Sequence, residues 1–287
     1  VSGATSSREH FLNRRSFIEL SARERAAAIL DAGTFRELLG PFDRLKSPWL
    51  PLQGVVAQAD DGVVLARGLL DGAAAVVAAI EGAYQGGSIG EVSGSKIAGV
   101  LELALHDCER GSPVRPVLLL ETGGVRLQEA NLGLAAIAEI QAAIVALRRH
   151  VPVVAVAGGI VGCFGGMSLA AALCSTLIVT RQARLGMNGP EVIEQEAGIG
   201  ELDASDRALI WSLMGGEQRY TTGLADALVE DDVDEIALEV RRAFTRRMPR
   251  ARSEQVERFV GRLSRIDVER APEPRALRAL WGREEAP

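Results

Sequence analysis

Lysine is scarce in this chain: Lys46 and Lys96 stand against abundant arginine, and with the many alanines this reads as genome composition. Cysteine is also scarce. Cys108, Cys163 and Cys174 form no C-x-x-C pair, and no histidine stands at ligand spacing from them, which argues against a metal site or a disulfide framework. They read as small buried apolar groups in a reducing compartment, so a cytoplasmic protein is expected. Excess positive charge is missing too. The net charge of −6 gives no electrostatic case for nucleic acid or an anionic membrane. The arginines at 241, 242, 246, 247, 250 and 252 are interleaved with acidic residues and read as a solvated helix face. The opening VSGATSSREHFLNRR has no apolar stretch, so no signal peptide is expected. Gly86–Gly90 lacks the G-K-[ST] of a P-loop, and Ser168 stands outside any G-x-S-x-G, with no histidine nearby. His106, on an amphipathic helix, and His150, at a helix end, read as structural. Neither a solenoid repeat nor a low-complexity segment is present.

The uncharged run from Val151 to Thr180 is long enough to raise a membrane helix. Pro152 and the glycines at 158, 159, 162, 165 and 166 cut it into strand, loop, helix and strand, each too short to span. A buried crossover in an α/β layer has the same composition.

The 287 residues are 47% apolar and 24% charged, enough for a substantial core in one large domain or two small ones. Residues 1–20 read as an arm. The capping box Ser21–Glu24 opens a helix to about Leu30, and Thr34–Glu37 caps a second short helix. A proline-rich loop, 40–52, follows, and this N-terminal region is expected to pack beside the core rather than supply it. Strands 53–58 and 63–69 flank Asp60-Asp61-Gly62, a hairpin signal. A strand near 74–79 leads through a glycine-rich loop to a helix over 92–108. Strands at 117–121, 153–157, 176–180 and 227–229 alternate with helices. One of these carries an apolar stripe at 130, 134, 137, 140, 144 and 147; the others cover 167–174, 204–213 and 233–247, with another opening at Pro190. Residues 251–287 read as a further helix and a frayed tail. Successive βα units predict an α/β fold.

Two glycine corners, each between an apolar strand and a helix, carry the chemistry. The first is Gly123–Gly124 in PVLLLETGGVRLQEANLGLAAIAEI, and the second is Gly165–Gly166 in VPVVAVAGGIVGCFGGMSLAAALCSTLIV. Glycine admits a ligand close to the peptide N–H, and a helix N-terminus adds free N–H groups with partial positive charge. Such corners suit an oxygen that turns negative during a reaction.

Five segments in order resemble the carboxyltransferase branch of the crotonase superfamily. GGSIGEVSGSKI (86–97) is similar to that branch's GGSMGSVVGEKI-type loop, and ETGGVRLQEANLGLAAIAEI (121–140) to its SGGARMQEG-type corner. VPVVAVAGGIVGCFGGMSLA (151–170) is similar to its strand and glycine loop. GMNGPEVIEQEAG (186–198) resembles the segment ending RVIEQT, and GLADALVEDD (223–232) the GLVDEVV-type turn. Val125 replaces the usual alanine, and Ser95 replaces the Glu of the GEK-type loop. Bacterial acetyl-CoA carboxylase β subunits carry an N-terminal four-cysteine zinc ribbon, whereas this chain has no cysteine before Cys108. ARERAAAILDAGTFRELLGPFDRL (22–45) is more similar to β subunits of biotin-independent malonate decarboxylases.

The resemblance implies a crotonase-like ββα superhelix over 53–247, with helical extensions at 1–52 and 248–287. It implies a γ subunit of the same fold sharing the active site, an acyl carrier protein and an acyl carrier protein transferase subunit. Malonate would arrive as a thioester on a CoA-like arm of the phosphoribosyl-dephospho-CoA type, carried by the carrier protein, with no cofactor, biotin or metal bound by this chain. Its enolate oxygen would meet backbone donors at Gly123, Gly124 and Val125, with Gly165 and Gly166 as second candidates. One donor from each corner and an adjacent pair from one corner both remain open. Gly86, Gly87, Ser88, Lys96 and Arg126 are candidates for the arm or a carboxylate, although Lys96 reads more readily as a surface or core-edge lysine. Glu129 and Glu91 are the acidic residues nearest the glycine loops, readable as proton donors or as capping carboxylates. A biotin-dependent carboxyltransferase subunit and a non-catalytic scaffold are the alternatives.

Overall fold

The computed structural model describes residues 14–56, 61–129, 131–267, 269–270 and 272–282. Seven strands form one sheet in sequence order: β1 (Arg36–Leu39), β2 (Val63–Leu70), β3 (Ala73–Ile80), β4 (Arg115–Leu120), β5 (Val154–Ala157), β6 (Thr176–Thr180) and β7 (Ala227–Val229). The first three are antiparallel, and β3 to β7 are parallel. Every new strand therefore adds at the same edge. The crossovers are α2 (Glu91–Glu109), α3 (Asn131–Leu147) and α4 (Gly166–Leu173). These three helices pack together with Val63, Leu65, Leu118, Leu120 and Ala155 on one face of the sheet. Alternate residues, among them Val64, Ala66, Val117, Leu119 and Val156, face α1 (Ala22–Ile29) and α8 (Val233–Thr245) on the other. Both faces are thus covered, which is why the parallel strands read as near-continuous apolar runs.

Between β6 and β7 the chain makes α5 (Pro190–Ala197), α6 (Arg207–Met214) and α7 (Gly216–Thr221); the last of these had no expectation from the sequence. Beyond α8 lie two helices rather than one, α9 (Val256–Leu263) and α10 (Pro274–Trp281). The uncharged run 151–180 is divided as expected, into β5, the second corner, α4 and β6. No helix among the described residues is long and apolar enough to cross a membrane.

Four local expectations are corrected. The second short helix at Thr34–Glu37 is instead the start of β1. Thr34 Oγ1 accepts the Leu69 N–H (3.0 Å) rather than capping a helix, so pairing with β2 overrides the local signal. The hairpin at Asp60–Gly62 is replaced by β2–β3, which turns at Asp71–Gly72, both at positive φ (48° and 71°) as a type I′ turn requires. Leu50–Gln53 is a 3₁₀ turn, and positions 57–60 of that expected hairpin lie outside the described residues. Nor does the N-terminal region merely sit beside the core: Phe17, Ala22, Ala26, Ile29 and Leu30 are part of it. On α3, Leu134 of the expected apolar stripe is 52% exposed, and the burying side runs through Gly133, Ala136, Ile137, Ile140 and Ile144; position 130 lies outside the described residues. Residues 1–13 of the expected arm and 283–287 of the expected tail also lie outside the described residues.

Asp31 ties α1 to this turn and to α8. Its carboxylate accepts the Gly72 N–H (2.9 Å), the Asp71 N–H (3.1 Å) and Arg241 Nη2 (3.2 Å). The Gly72 N–H, helped by the Asp71 N–H and Arg241, holds its pKa below the ordinary aspartate value. A folded-state pKa that is depressed means the unfolded chain takes the proton first. The contribution is therefore complete above the unfolded pKa, about 3.9, and is lost as pH falls through the folded value. Asp31→Asn should flatten the acid limb of a curve of Tm against pH below about pH 4. A limb identical to wild type would show that these bonds contribute nothing in solution.

Candidate active site

Short backbone bridges stand at the C-terminal ends of the parallel strands. Ile89 pairs Val125, Thr122 pairs Cys163, Cys163 pairs Leu185, and Arg184 pairs Gly215. This small ladder holds both glycine corners, one on the other. Thr122 N–H donates to Gly162 O (2.8 Å), and Phe164 N–H to Thr122 O (3.0 Å). At the contact a side chain on Gly165 would be crowded. A Cβ on Gly165 would lie 3.2 Å from Gly124 Cα and 3.8 Å from Val125 N. Gly165 has φ 60° and ψ −146°, and Gly124 has φ 114°.

The corner amides differ in what they do. Gly123 N–H donates to Gly86 O (2.8 Å), Gly124 N–H to Thr122 Oγ1 (3.1 Å) and Gly165 N–H to Met187 O (2.8 Å). Those three are occupied within the fold. Val125 N–H and Gly166 N–H meet no acceptor among the described residues, and both residues are partly open to solvent. Their directions follow from the carbonyls of the same peptides, because C=O and N–H point oppositely across a trans peptide. Gly124 O accepts Ile89 N–H (2.8 Å), so Val125 N–H points away from the loop before α2. Gly165 O accepts the Ser168 N–H (3.0 Å) and Ser168 Oγ (2.8 Å), so Gly166 N–H points out of the N-terminus of α4. One unpaired donor thus comes from each corner, and the corners meet where Gly165 approaches Gly124.

The charged candidates face inward. Lys96 is 5% exposed, and its ammonium donates to Asp61 Oδ1 (3.0 Å) and Oδ2 (2.9 Å), Val63 O (2.7 Å) and Gly40 O (3.1 Å). It is the core-edge lysine, with its donors engaged, and not a free phosphate contact. Arg126 is buried as well. It donates to Glu129 Oε1 (2.8 Å), Ser88 O (3.0 Å), Ser88 Oγ (3.3 Å) and Asp61 O (3.5 Å) and lies over the Tyr84 ring. Glu129 accepts the Glu91 N–H (2.6 Å) at the first turn of α2, the capping role, and Glu91 accepts the Ser47 hydroxyl. Gly87 packs on the Glu121 backbone, whereas Gly86 borders open space. The cavity of about 700 Å³ beside α2, lined by Leu38, Leu45, Val92, Leu103 and His106, contains none of the corner residues.

Sequence reasoning missed Glu121 and Arg25. Glu121 follows β4 directly before the first corner, and its buried carboxylate pairs with Arg25 of α1 and accepts the Val161 N–H (3.3 Å) of the second corner loop. A lone carboxylate closing an apolar strand was the available signal; its partner, distant in sequence, gave none. Gln141 of α3 was missed too, and it donates to Gly166 O (2.8 Å). Cys163 and Cys174 are buried as expected, and burial pushes the Cys174 thiol up to about 12; Cys108 is partly exposed. Among the described residues no His, Cys, Asp and Glu cluster could hold a metal ion. On the outer side of α3, Leu134, Ala135, Ala138, Ala142 and Val145 are exposed with one charge, Glu139, among them, and Leu169 of α4 is 47% exposed.

Residues 18–273 match the carboxyl transferase domain family. The chain belongs to that family. It is 45% identical over 232 residues to the malonyl-S-ACP:biotin-protein carboxyltransferase of Malonomonas rubra, covering 77% of this chain and 73% of that relative. Among solved structures it is similar to a chain of a Pseudomonas malonate decarboxylase hetero-tetramer in complex with malonate, with a TM-score of 0.90 and 63% identity over 95% of this chain and 99% of that one. A Pseudomonas malonate decarboxylase hetero-dimer gives a TM-score of 0.74 at 60% identity, over 87% of this chain and 97% of that one. The 12S subunit of transcarboxylase gives 0.64 at 26%, over 82% of this chain and 42% of that one. The expected crotonase-like α/β fold is therefore the fold of this carboxyl transferase domain.

Proposed function

We propose that this chain is the β subunit of a malonate decarboxylase and acts with a γ subunit on malonyl-S-acyl carrier protein. The observation that carries the reading is the pair of unengaged N–H donors, Val125 and Gly166, brought together by the Gly124–Gly165 contact. In the reaction the bond between the methylene carbon and the carboxylate breaks. CO2 leaves, and the electron pair moves into the thioester carbonyl. The resulting enolate oxygen is the charge that two preformed N–H groups stabilise more than they stabilise the neutral carbonyl. A proton then adds to the methylene carbon and gives the acetyl thioester. Glu129 is engaged as a cap and Glu91 by the Ser47 hydroxyl, so water or the partner subunit supplies that proton.

Malonate arrives on the CoA-like, phosphoribosyl-dephospho-CoA-type arm of the carrier protein, as substrate rather than as a resident group, and an acyl carrier protein transferase subunit charges it. With Lys96 and Arg126 engaged internally, phosphate contacts fall to the open backbone at Gly86 or to the partner. The exposed apolar side of α3 and α4 supports burial against a partner subunit, since contiguous apolar surface of this kind marks an interface. Three cysteines without a disulfide fit the reducing cytoplasm.

A second reading is favoured by the Malonomonas relative: the same enolate forms, but CO2 is passed to a biotin protein. Reconstitution with the γ subunit and malonyl-loaded carrier protein separates the two. Acetyl thioester and CO2 should form without any biotin protein. Strict dependence on biotin would overturn the decarboxylase in favour of the transferase.

A further inference from the structure

A chain of two hydrogen-bonded peptides runs from Arg126 to the unengaged amide of Val125. Arg126 Nη2 donates to the carbonyl of Ser88 (3.0 Å). The N–H of that same peptide belongs to Ile89 and donates to the carbonyl of Gly124 (2.8 Å). The N–H of the Gly124 peptide is that of Val125. Both peptides are trans, so their dipoles align head to tail, with a cation at one end and the open donor at the other.

We propose that Arg126 is a positioning residue of the oxyanion site, which aligns and polarises the Val125 N–H through the Ser88–Ile89 and Gly124–Val125 peptides. This rests on the reading of Val125 as a donor to the enolate oxygen. The guanidinium itself is out of reach of a substrate: it is 5% exposed, and its contacts are Glu129, the Ser88 carbonyl and hydroxyl, the Asp61 carbonyl and the face of Tyr84. Its influence passes through what it binds. Hydrogen bonds in series strengthen one another where water is excluded, and Ile89 is fully buried. The geometry is fixed from both sides, because the Arg126 N–H returns to the Ile89 carbonyl (2.8 Å) and closes the Ile89–Val125 bridge. Glu129 balances the charge, but its other oxygen is given to the Glu91 N–H (2.6 Å), so the carboxylate is shared with the start of α2. A donor polarised in this way binds a full oxyanion better and a neutral carbonyl little differently, so the effect falls on the chemical step.

The test compares the wild-type complex with R126K and with R126M/E129Q. The double variant leaves no lone buried charge, and R126K keeps the cation without its fork. Each is assembled with the partner subunit and assayed on malonyl-loaded carrier protein. In R126M/E129Q, kcat should fall about tenfold with KM within about twofold. Affinity for carrier protein loaded with a nitronate mimic of the enolate should fall in step, while affinity for acetyl-loaded carrier protein stays level. R126K should recover part of both losses. The proposal is overturned if kcat and nitronate affinity match wild type, or if both carrier affinities fall together with Tm, as for a plain structural brace. A wild-type complex that releases no CO2 from malonyl-loaded carrier protein overturns the functional reading instead.

Discussion

Gly165→Ala should lower turnover of the assembled complex by about 10²–10³-fold, the usual effect of losing one oxyanion donor. Two physical changes act together. The backbone of Gly165, φ 60° and ψ −146°, lies in a region that residues with a Cβ scarcely occupy, so the alanine variant must rotate. Rotation there tilts the Gly165–Gly166 peptide, whose N–H is the donor of the second corner. The new methyl also stands 3.2 Å from Gly124 Cα, tighter than ordinary contact, and 3.8 Å from Val125 N. It therefore crowds the first corner beside the Val125 donor. Gly124→Ala should be milder, because its Cβ would keep 3.5 Å from Gly165 Cα, although φ 114° still strains it. Gel filtration with the partner subunit should show assembly unchanged while CO2 release collapses. Assembly with undiminished release would favour a scaffold that takes no part in the chemistry.

How much of this could be read from the chain beforehand depended on the range of the interactions. The crossover helices and parallel strands were legible, because apolar periodicity and glycine punctuation are local. The two corners were legible for the same reason. What escaped was set by contacts far apart in sequence. Thr34 carried a good capping signal, yet it bonds Leu69 across the sheet and β1 forms instead. Asp61-Gly62 and Asp71-Gly72 are equally good turn pairs. The choice fell on the second because 63–70 and 73–80 pair along their full length, while Asp61 turns inward to Lys96. Composition likewise could not tell a cation awaiting a phosphate from one already paired. Lys96 and Arg126 stand beside the glycine loops in sequence, but their partners Asp61, Gly40 and Ser88 come from other elements. The division of labour among the corner amides was hidden too, since it depends on which carbonyl lies opposite each N–H.

Arg25→Met should cost about 3–5 kcal/mol in stability by urea denaturation, the loss typical when one member of a buried ion pair is removed. The side chains of Arg25 and Glu121 are 5% and 7% exposed. Glu121 lies in a cradle made by glycines: a Cβ on Gly82 or on Gly159 would run into its carboxylate. Water has little access to replace the lost guanidinium, and among the described residues Val161 N–H (3.3 Å) is the remaining donor to the carboxylate. Arg25 loses more than a charge, because it also donates to Phe17 O (2.9 Å) and Ile18 O (2.6 Å) and lies over the Phe17 ring. The segment leading into α1 is therefore released along with the pair. Adding Glu121→Gln should restore part of the loss, since a neutral amide still accepts the Val161 N–H without an uncompensated charge. If the double variant is no more stable than Arg25→Met, the cost comes from the Phe17 and Ile18 contacts rather than from stranding Glu121. Because Glu121 sits between the last residue of β4 and the loop of the second corner, the same measurement reports how firmly α1 supports both corners from behind.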